Sequence, residues 1–347
     1  MKIFLDTLPL RSGHVLRGVG VYTKYLLAAL EKCPNVEVLT RSRANHHQAD
    51  VVHYPYFDLF FPTLPLFEFS PTVVTIHDLI PLKFPDHYPV GWRGRLSYWR
   101  QKQALRRVRR VVTDSQASAV DITEQFPFLT NRVTTVHLAP NPEIIIPSTP
   151  KLAKIRHHYH LPKKYLLYVG DINYNKNLPE LIKSLEFLPD WLHLVCVGNH
   201  FSPQPIPEWL AIDRQIAISQ VESRVHLIND LPADQSLDLA GIYHLATALI
   251  QPSLSEGFGL PVLEAMSAKT PVVCAQNSSL VEVGGSHVIY TGTDAQLIAW
   301  GVEKVLGWQA SRHQAWVGAA YTWSQNFSWE KVAQQMINVY QSVIDSR

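Results

Sequence analysis

The sequence predicts an α/β protein made of two doubly wound parallel sheets in tandem, and three observations predict it. Short apolar, β-rich runs alternate with stretches of helical periodicity, the rhythm of parallel strands joined by crossover helices. That series starts afresh at Tyr165. Between the two series lies Ala139-Pro140-Asn141-Pro142-Glu143, followed by Pro147 and Pro150, the punctuation of an interdomain linker. The expected domains are therefore 1–150 and 151–325, with a terminal helical segment at 326–347.

Residues 2–5 open the first series as a buried strand, and Gly18 and Gly20 then lead into a helix over 21–30. Strands follow at 36–39, 51–53, 72–77, 111–113 and 133–138, each a short apolar run of the kind that crossover helices separate. Between the fourth and fifth, the stretch from Trp92 to Arg110 reads as one basic helix. It carries Arg93, Arg95, Arg100, Lys102, Arg106, Arg107, Arg109 and Arg110 among Trp92, Tyr98 and Trp99, with no acidic residue. The second series runs through 165–169, 192–197, 225–228, 248–251, 271–275 and 288–290. At the end, Val332, Met336, Val339, Tyr340 and Val343 recur at helical spacing within 328–344, one apolar stripe that needs a partner.

Composition narrows the class. A chain of 347 residues that is 46% hydrophobic and 17% charged can bury substantial cores. With 16 Gly, 24 Pro and a net charge of +2, it is neither collagen-like nor disordered, and it does not coat nucleic acid in bulk. Any basic surface is local: residues 1–150 hold 17 Lys plus Arg against 12 Asp plus Glu, net +5, which leaves net −3 for the rest. Cys33, Cys196 and Cys274 form no C-x-x-C pair and no disulfide framework, so a reduced, cytoplasmic protein is expected. The first residues lack the basic flank, apolar core and cleavage site of a signal peptide. The long uncharged run 239–255 contains His244 and Pro252 and falls short of a membrane span.

The sharpest motif is Pro252-Ser253-Leu254-Ser255-Glu256-Gly257-Phe258-Gly259-Leu260-Pro261-Val262-Leu263-Glu264, directly after the strand at 248–251. Its two glycines let the backbone approach a ligand, and the N–H groups at the start of the following helix receive an anion or sugar hydroxyls. Glu256 in the turn and Glu264 about two helical turns later can serve one polar ligand at two depths. On spacing alone, a plain glycine-rich connection fits as well. Gly18-Val19-Gly20 lacks the third glycine of a dinucleotide fingerprint, which argues against a nicotinamide dehydrogenase.

The whole set closely resembles the retaining glycosyltransferases of family 4, with their Glu-x7-Glu signature and GT-B fold, and mannosyl- and rhamnosyltransferase-like members most of all. The resemblance rests on Arg17-Gly18-Val19-Gly20-Val21-Tyr22, His77-Asp78-Leu79-Ile80-Pro81, Thr113-Asp114-Ser115, Leu167-Tyr168-Val169-Gly170, Lys176-Asn177, Glu256 to Glu264, and Thr270-Pro271-Val272-Val273. It implies two Rossmann-like domains facing across a cleft, with the terminal helix packing back toward the first. It implies a hexose transferred from a nucleotide-diphosphate sugar to a glycan or lipid-linked glycan, with retention and no cofactor. No Asp-x-Asp pair is present to hold a metal on the diphosphate. Gly18, Gly20, Lys176, Glu256, Gly257, Phe258, Gly259, Leu260 and Glu264 would bind the donor. Lys176 would neutralise the diphosphate, Glu256 hold the sugar and Glu264 the ribose, and His77 would contact the transferred sugar. Asp78 would orient its loop and His14 would meet the acceptor, while His53, His87 and His137 stay unassigned.

Two positions depart from the family pattern: Asp171 and Asn175 stand where many relatives carry an arginine. An inert sugar-nucleotide-binding partner subunit is the alternative these favour, and a retaining phosphorylase or sucrose-type synthase is the alternative within enzymes. Trp92, Arg93, Trp99, Arg100, Arg106 and Arg110 suit an anionic membrane surface or a lipid diphosphate at the inner face of the membrane, and no nucleic-acid partner is expected.

Overall fold

The computed structural model describes residues 1–11, 18–40, 48–67, 70–229, 231 and 236–346, so His14 and Arg17 lie outside the described residues. The strands are β1 Lys2–Leu5, β2 Glu37–Leu39, β3 Val51–Tyr54, β4 Thr72–Thr75, β5 Arg110–Thr113, β6 Val133–Thr135, β7 Tyr165–Val169, β8 His193–Val197, β9 Val225–Ile228, β10 Ala248–Gln251, β11 Val272–Ala275 and β12 Ile289–Thr291. The helices are α1 Gly18–Leu30, α2 Ile80–Lys83, α3 Trp92–Leu105, α4 Gln116–Gln125, α5 Thr149–His158, α6 Leu178–Lys183, α7 Pro207–Ser219, α8 Ser236–Leu245, α9 Leu260–Ser267, α10 Leu280–Gly284, α11 Ala295–Leu306, α12 Ala310–Ser324 and α13 Trp329–Asp345.

Among the described residues these strands form two six-stranded sheets, β2-β1-β3-β4-β5-β6 and β12-β11-β10-β7-β8-β9. Every pairing is parallel. Val and Thr dominate β3, β4 and β5, and β3, β7, β8, β10 and β11 are buried on both faces or nearly so, as parallel strands covered by helices must be. The chain divides into two compact units, Met1–Ala139 with Phe327–Arg347, and Pro140–Asn326.

In the first unit, Phe4, Val52, Val74 and Val111 project to one face of the sheet and pack with Leu105, Ile122 and Phe126. The alternate residues project to the other face, where His53 and Thr75 meet α1 and α13. There Tyr340 Oη lies 2.8 Å from His53 Nδ1, His53 Nε2 lies 2.9 Å from Thr75 Oγ1, and Tyr22 Oη lies 3.0 Å from the same hydroxyl. Burial drives the His53 pKa down to about 3, so this histidine is neutral and serves as a core hydrogen-bonding group. Ser328 caps α13 by accepting from Lys331 N at 3.3 Å, and Val332, Met336, Val339, Tyr340 and Val343 are all buried, so the expected stripe has its partner. Trp329 packs against Tyr22 and Tyr25, with ring centroids 6.3 and 5.5 Å apart.

The second unit packs Leu166, Tyr168, Leu194, Cys196 and Ile250 against Leu181 of α6 and Ile298 and Val302 of α11. Cys196 and Cys274 are buried, and burial raises both thiols far above their ordinary value, which makes them core residues.

Three local expectations are corrected. The basic helix stops at Leu105, so Arg106 is its C-cap and Arg110 is the first residue of β5. Leu105 and Val108 are both buried, and Arg109 N donates to Thr72 O at 2.9 Å, which draws the following residues into the sheet. The strand expected at 72–77 ends at Thr75, which leaves His77 just beyond it. Gly18 and Gly20 lie inside the first turn of α1 instead of preceding the helix.

Candidate functional site

In the second sheet β7 and β10 are neighbours, yet the chain leaves β7 toward β8 and β9 and leaves β10 toward β11 and β12. This is the point at which the winding reverses, and open α/β sheets bind ligands outside the carboxyl ends of the strands there. Two loops meet at that point. Gly170 ends β7 with φ 152°, and a Cβ on Gly198 at the end of β8 would lie 2.1 Å from Gly170 O, so the two backbones touch and only glycine fits. The first loop then makes a short 3-10 turn, Tyr174–Lys176, before α6. The second runs from β10 to Gly259, whose φ of 105° lets it cap α9.

Lys176 Nζ donates to both carboxylate oxygens of Glu256, at 2.8 and 2.9 Å. Glu256 Oε1 also accepts from Gln251 Nε2 and from Ser253 Oγ, each at 2.7 Å. The buried carboxylate is therefore paired, as a charge out of water must be. The turn that carries it is held by amide side chains. Asn175 Nδ2 donates to Ser255 O at 2.9 Å, Asn177 Nδ2 to Pro252 O at 3.1 Å and Asn277 Nδ2 to Ser253 O at 2.9 Å. Ser278 Oγ accepts from Glu256 N and Ser279 Oγ donates to Glu256 O, both at 3.0 Å. Gln251 Oε1 is buried with no hydrogen-bond partner among the described residues.

Glu264 lies on α9, buried, and Tyr243 Oη donates to its Oε2 at 2.8 Å. Burial raises its pKa, while the Tyr243 hydroxyl and the Asn141 backbone N–H partly offset that rise. Phe258 is buried beside the turn and Leu260 is the first residue of α9. The two departures acquire partners. Asp171 Oδ1 lies 3.2 Å from His200 Nδ1, and Asn175 is a buried staple of the glutamate turn. The second unit thus brings together Lys176, Glu256, Gly257 to Leu260 and Glu264. Sequence reasoning missed Gln251, Ser253, Asn277, Ser278 and Tyr243, and took Asn175 for a lost arginine. Its hydrogen bond spans 80 positions of sequence, which no local pattern reveals.

The first unit holds His77 and the glycines of α1. His77 Nδ1 lies 2.7 Å from Asp114 Oδ2 and Nε2 lies 3.1 Å from Pro55 O. Its backbone carbonyl accepts from Ser118 Oγ at 3.1 Å, and Tyr22 stands edge-on to the ring, with centroids 5.0 Å apart. Asp78 accepts from Ile80 N at 3.0 Å and so shapes the turn into α2. Gly18 and Gly20 occupy a helical first turn, where N–H groups have no intrahelical partner.

On α3, Trp92, Leu96 and Trp99 follow one another at positions i, i+4 and i+7 and are 72%, 53% and 58% exposed. Helical geometry sets Arg93 and Arg100 along one side of this stripe and Arg95 and Lys102 along the other. The opposite face, with Gln101, Ala104 and Leu105, is buried. Gln101 Nε2 donates to Phe61 O at 2.7 Å and Gln101 Oε1 accepts from Leu64 N at 3.2 Å, which fixes the loop bearing the exposed Phe61.

A family model described as Glycosyl transferases group 1 matches residues 153–323, and one described as Glycosyltransferase Family 4 matches residues 34–144. The O-antigen chain mannosyltransferase B of Escherichia coli is 27% identical over 275 residues, 77% of this chain and 69% of that protein. The serotype-specific mannosyltransferase WbdA of Escherichia coli is 27% identical over 281 residues, 79% of this chain, and the aligned region is only 34% of its length. Among solved structures, sucrose-phosphate synthase from Thermosynechococcus elongatus matches with a TM-score of 0.77 at 17% identity, over 100% of each chain. Anabaena Alr3699/HepE, solved in complex with UDP and glucose, matches with a TM-score of 0.72 at 18% identity, over 99% of this chain and 100% of that one. At such identities the two structures share the fold.

Proposed function

The chain is a glycosyltransferase and belongs to family 4, and from that premise we propose that it moves a mannose-like hexose from a nucleotide-diphosphate sugar to a glycan or lipid-linked glycan, with retention and without a metal. The observation that carries the proposal is the paired Lys176 and Glu256 at the winding reversal, with Glu264 farther along α9. A diphosphate supplies the anion that Lys176 needs when Glu256 turns to sugar hydroxyls, and Glu264 is placed to accept from the ribose hydroxyls. The mannose-like donor rests on the names of the two mannosyltransferase relatives.

In this reading the second unit binds the donor and the first binds the acceptor. Lys176 stabilises the charge that develops on the departing diphosphate. A phosphate oxygen of that leaving group takes the acceptor hydroxyl's proton as the glycosidic bond breaks, and the new bond forms on the same face. His77 contacts the transferred sugar. The exposed stripe of α3, flanked by arginines, rests on an anionic membrane surface where a lipid-linked acceptor is found.

A thermal-shift panel of nucleotide-sugars tests the donor. At about 100 times its dissociation constant a ligand adds roughly 2.7 kcal/mol of stability, so one nucleotide-sugar should stand apart from the rest. Turnover by the purified chain with that donor separates an enzyme of this kind from an inert partner subunit. No stabilisation by any nucleotide-sugar, or release of sugar only with inorganic phosphate, would overturn the proposal.

A further inference from the structure

We infer that Asp114 is a positioning residue: it holds His77 as an imidazolium in one fixed orientation, with both N–H groups committed to Asp114 and Pro55, so that this histidine presents a fixed positive charge and never works as a base. This rests on the reading of His77 as a group of the reaction site. Asp114 itself touches no substrate and acts through the ring.

The geometry leaves little choice. Both ring nitrogens face oxygens, the Asp114 carboxylate at 2.7 Å and the Pro55 carbonyl at 3.1 Å. A carbonyl only accepts, so Nε2 carries a proton. The remaining proton lies between Nδ1 and Oδ2; reference values of about 6.5 for His and about 3.9 for Asp favour the nitrogen, and burial works against that preference. A separation of 2.7 Å is that of a charge-assisted bond. Asp114 Oδ1 is buried without a hydrogen-bond partner among the described residues, so His77 supplies the hydrogen bond its carboxylate has. Tyr22 against the ring and Ser118 on the His77 carbonyl complete the fixation.

The surrounding charges act in the same direction. Burial pulls the His77 pKa down, but Asp114, then Asp78 on its own loop and the Pro55 carbonyl, outweigh it and the net shift is upward. Facing the pair from other elements are His53 of β3, which is neutral, and the Tyr22 phenol of α1, which burial keeps protonated; burial raises the Asp114 carboxyl, and His77 and then His137 beyond β6 offset part of that rise.

The test has two arms. Nitrogen-15 NMR of the wild-type chain, with His77 assigned by its loss in His77→Gln, should show both ring nitrogens protonated at neutral pH and keeping their protons to higher pH than in Asp114→Asn. In turnover, Asp114→Asn should lower kcat roughly tenfold or more on the alkaline side with the donor KM unchanged, then recover toward wild type on acidification. Recovery at low pH is the signature of a lost proton, which a merely loosened structure does not give. A neutral, single-tautomer His77 at pH 7 in the wild type overturns the inference. A locked imidazolium combined with unchanged turnover of Asp114→Asn overturns the place of His77 in the reaction, whatever becomes of the donor site.

Discussion

Glu264 is a residue whose cost and use have opposite signs. Because burial raises its pKa, the folded state holds its proton to higher pH than the unfolded state does, so stability falls as pH rises through that window and stays lower above it. Glu264→Gln should therefore raise the melting temperature of the ligand-free protein at neutral pH while weakening nucleotide binding. Glu264→Ala should cost about 1.5 to 3 kcal/mol for each charged hydrogen bond lost, read by titration calorimetry with the nucleoside diphosphate. Wild-type affinity in either folded variant would sink the ribose assignment. For Lys176→Ala the expected effect is a fall in kcat of roughly 100-fold or more, with activity of the wild type surviving chelator treatment. Strict dependence on added magnesium or manganese would refute the second half. The two glutamates and the lysine could be named as candidates because each sits in a short motif; Tyr243 could not, because its partner Glu264 lies 21 positions away, and Gln251 and Ser253, though only 5 and 3 positions from Glu256, carry no pattern that marks a carboxylate's partner.

At the scale of elements, the strands were readable because parallel strands buried on both faces are written as continuous apolar runs, and the observed limits differ from the expected ones chiefly at their ends. The helix of arginines was readable in kind and misjudged in length. Charge alone has no period, and it was the burial of Leu105 and Val108 that ended α3. This shortening makes a sharper prediction about the surface. Arg93, Arg95, Arg100 and Lys102 flank the exposed Trp92-Leu96-Trp99 stripe, whereas Arg110 opens β5 and donates to Asn131 O, just before β6, at 3.1 Å. Sedimentation with anionic liposomes should show binding that falls with salt, since the Debye length shrinks from about 10 Å at 0.1 M to about 3 Å at 1 M. Replacing Arg93, Arg95 and Arg100 with Gln should release the protein, and Arg110→Gln should not. Equal pelleting of all variants, or none, would leave α3 as a solvated face.

At the scale of the molecule, the first unit is built from two distant stretches of sequence, and α13 supplies a wall of its core. Met336→Ala should cost about 2 to 5 kcal/mol, because the side chain is fully buried and its neighbours are held by the sheet. Two-probe denaturation should show the loss confined to the transition of the first unit, and an equal shift in both transitions would contradict the division. Tyr340→Phe is a milder probe of the same wall, since it removes the hydroxyl that meets His53.

The order of synthesis gives that wall a second meaning. Sequence emerges from a ribosome at roughly 5 to 20 residues per second, so the segment between Ala139 and Phe327 takes on the order of 10 to 40 s to make. Through that interval the earliest-made sheet has its strands but not α13, and the sheet face bearing His53 and Thr75 awaits the helix that covers it. The first unit is thus completed only after the whole second unit has been made, and a nascent chain carries that uncovered sheet face throughout the interval.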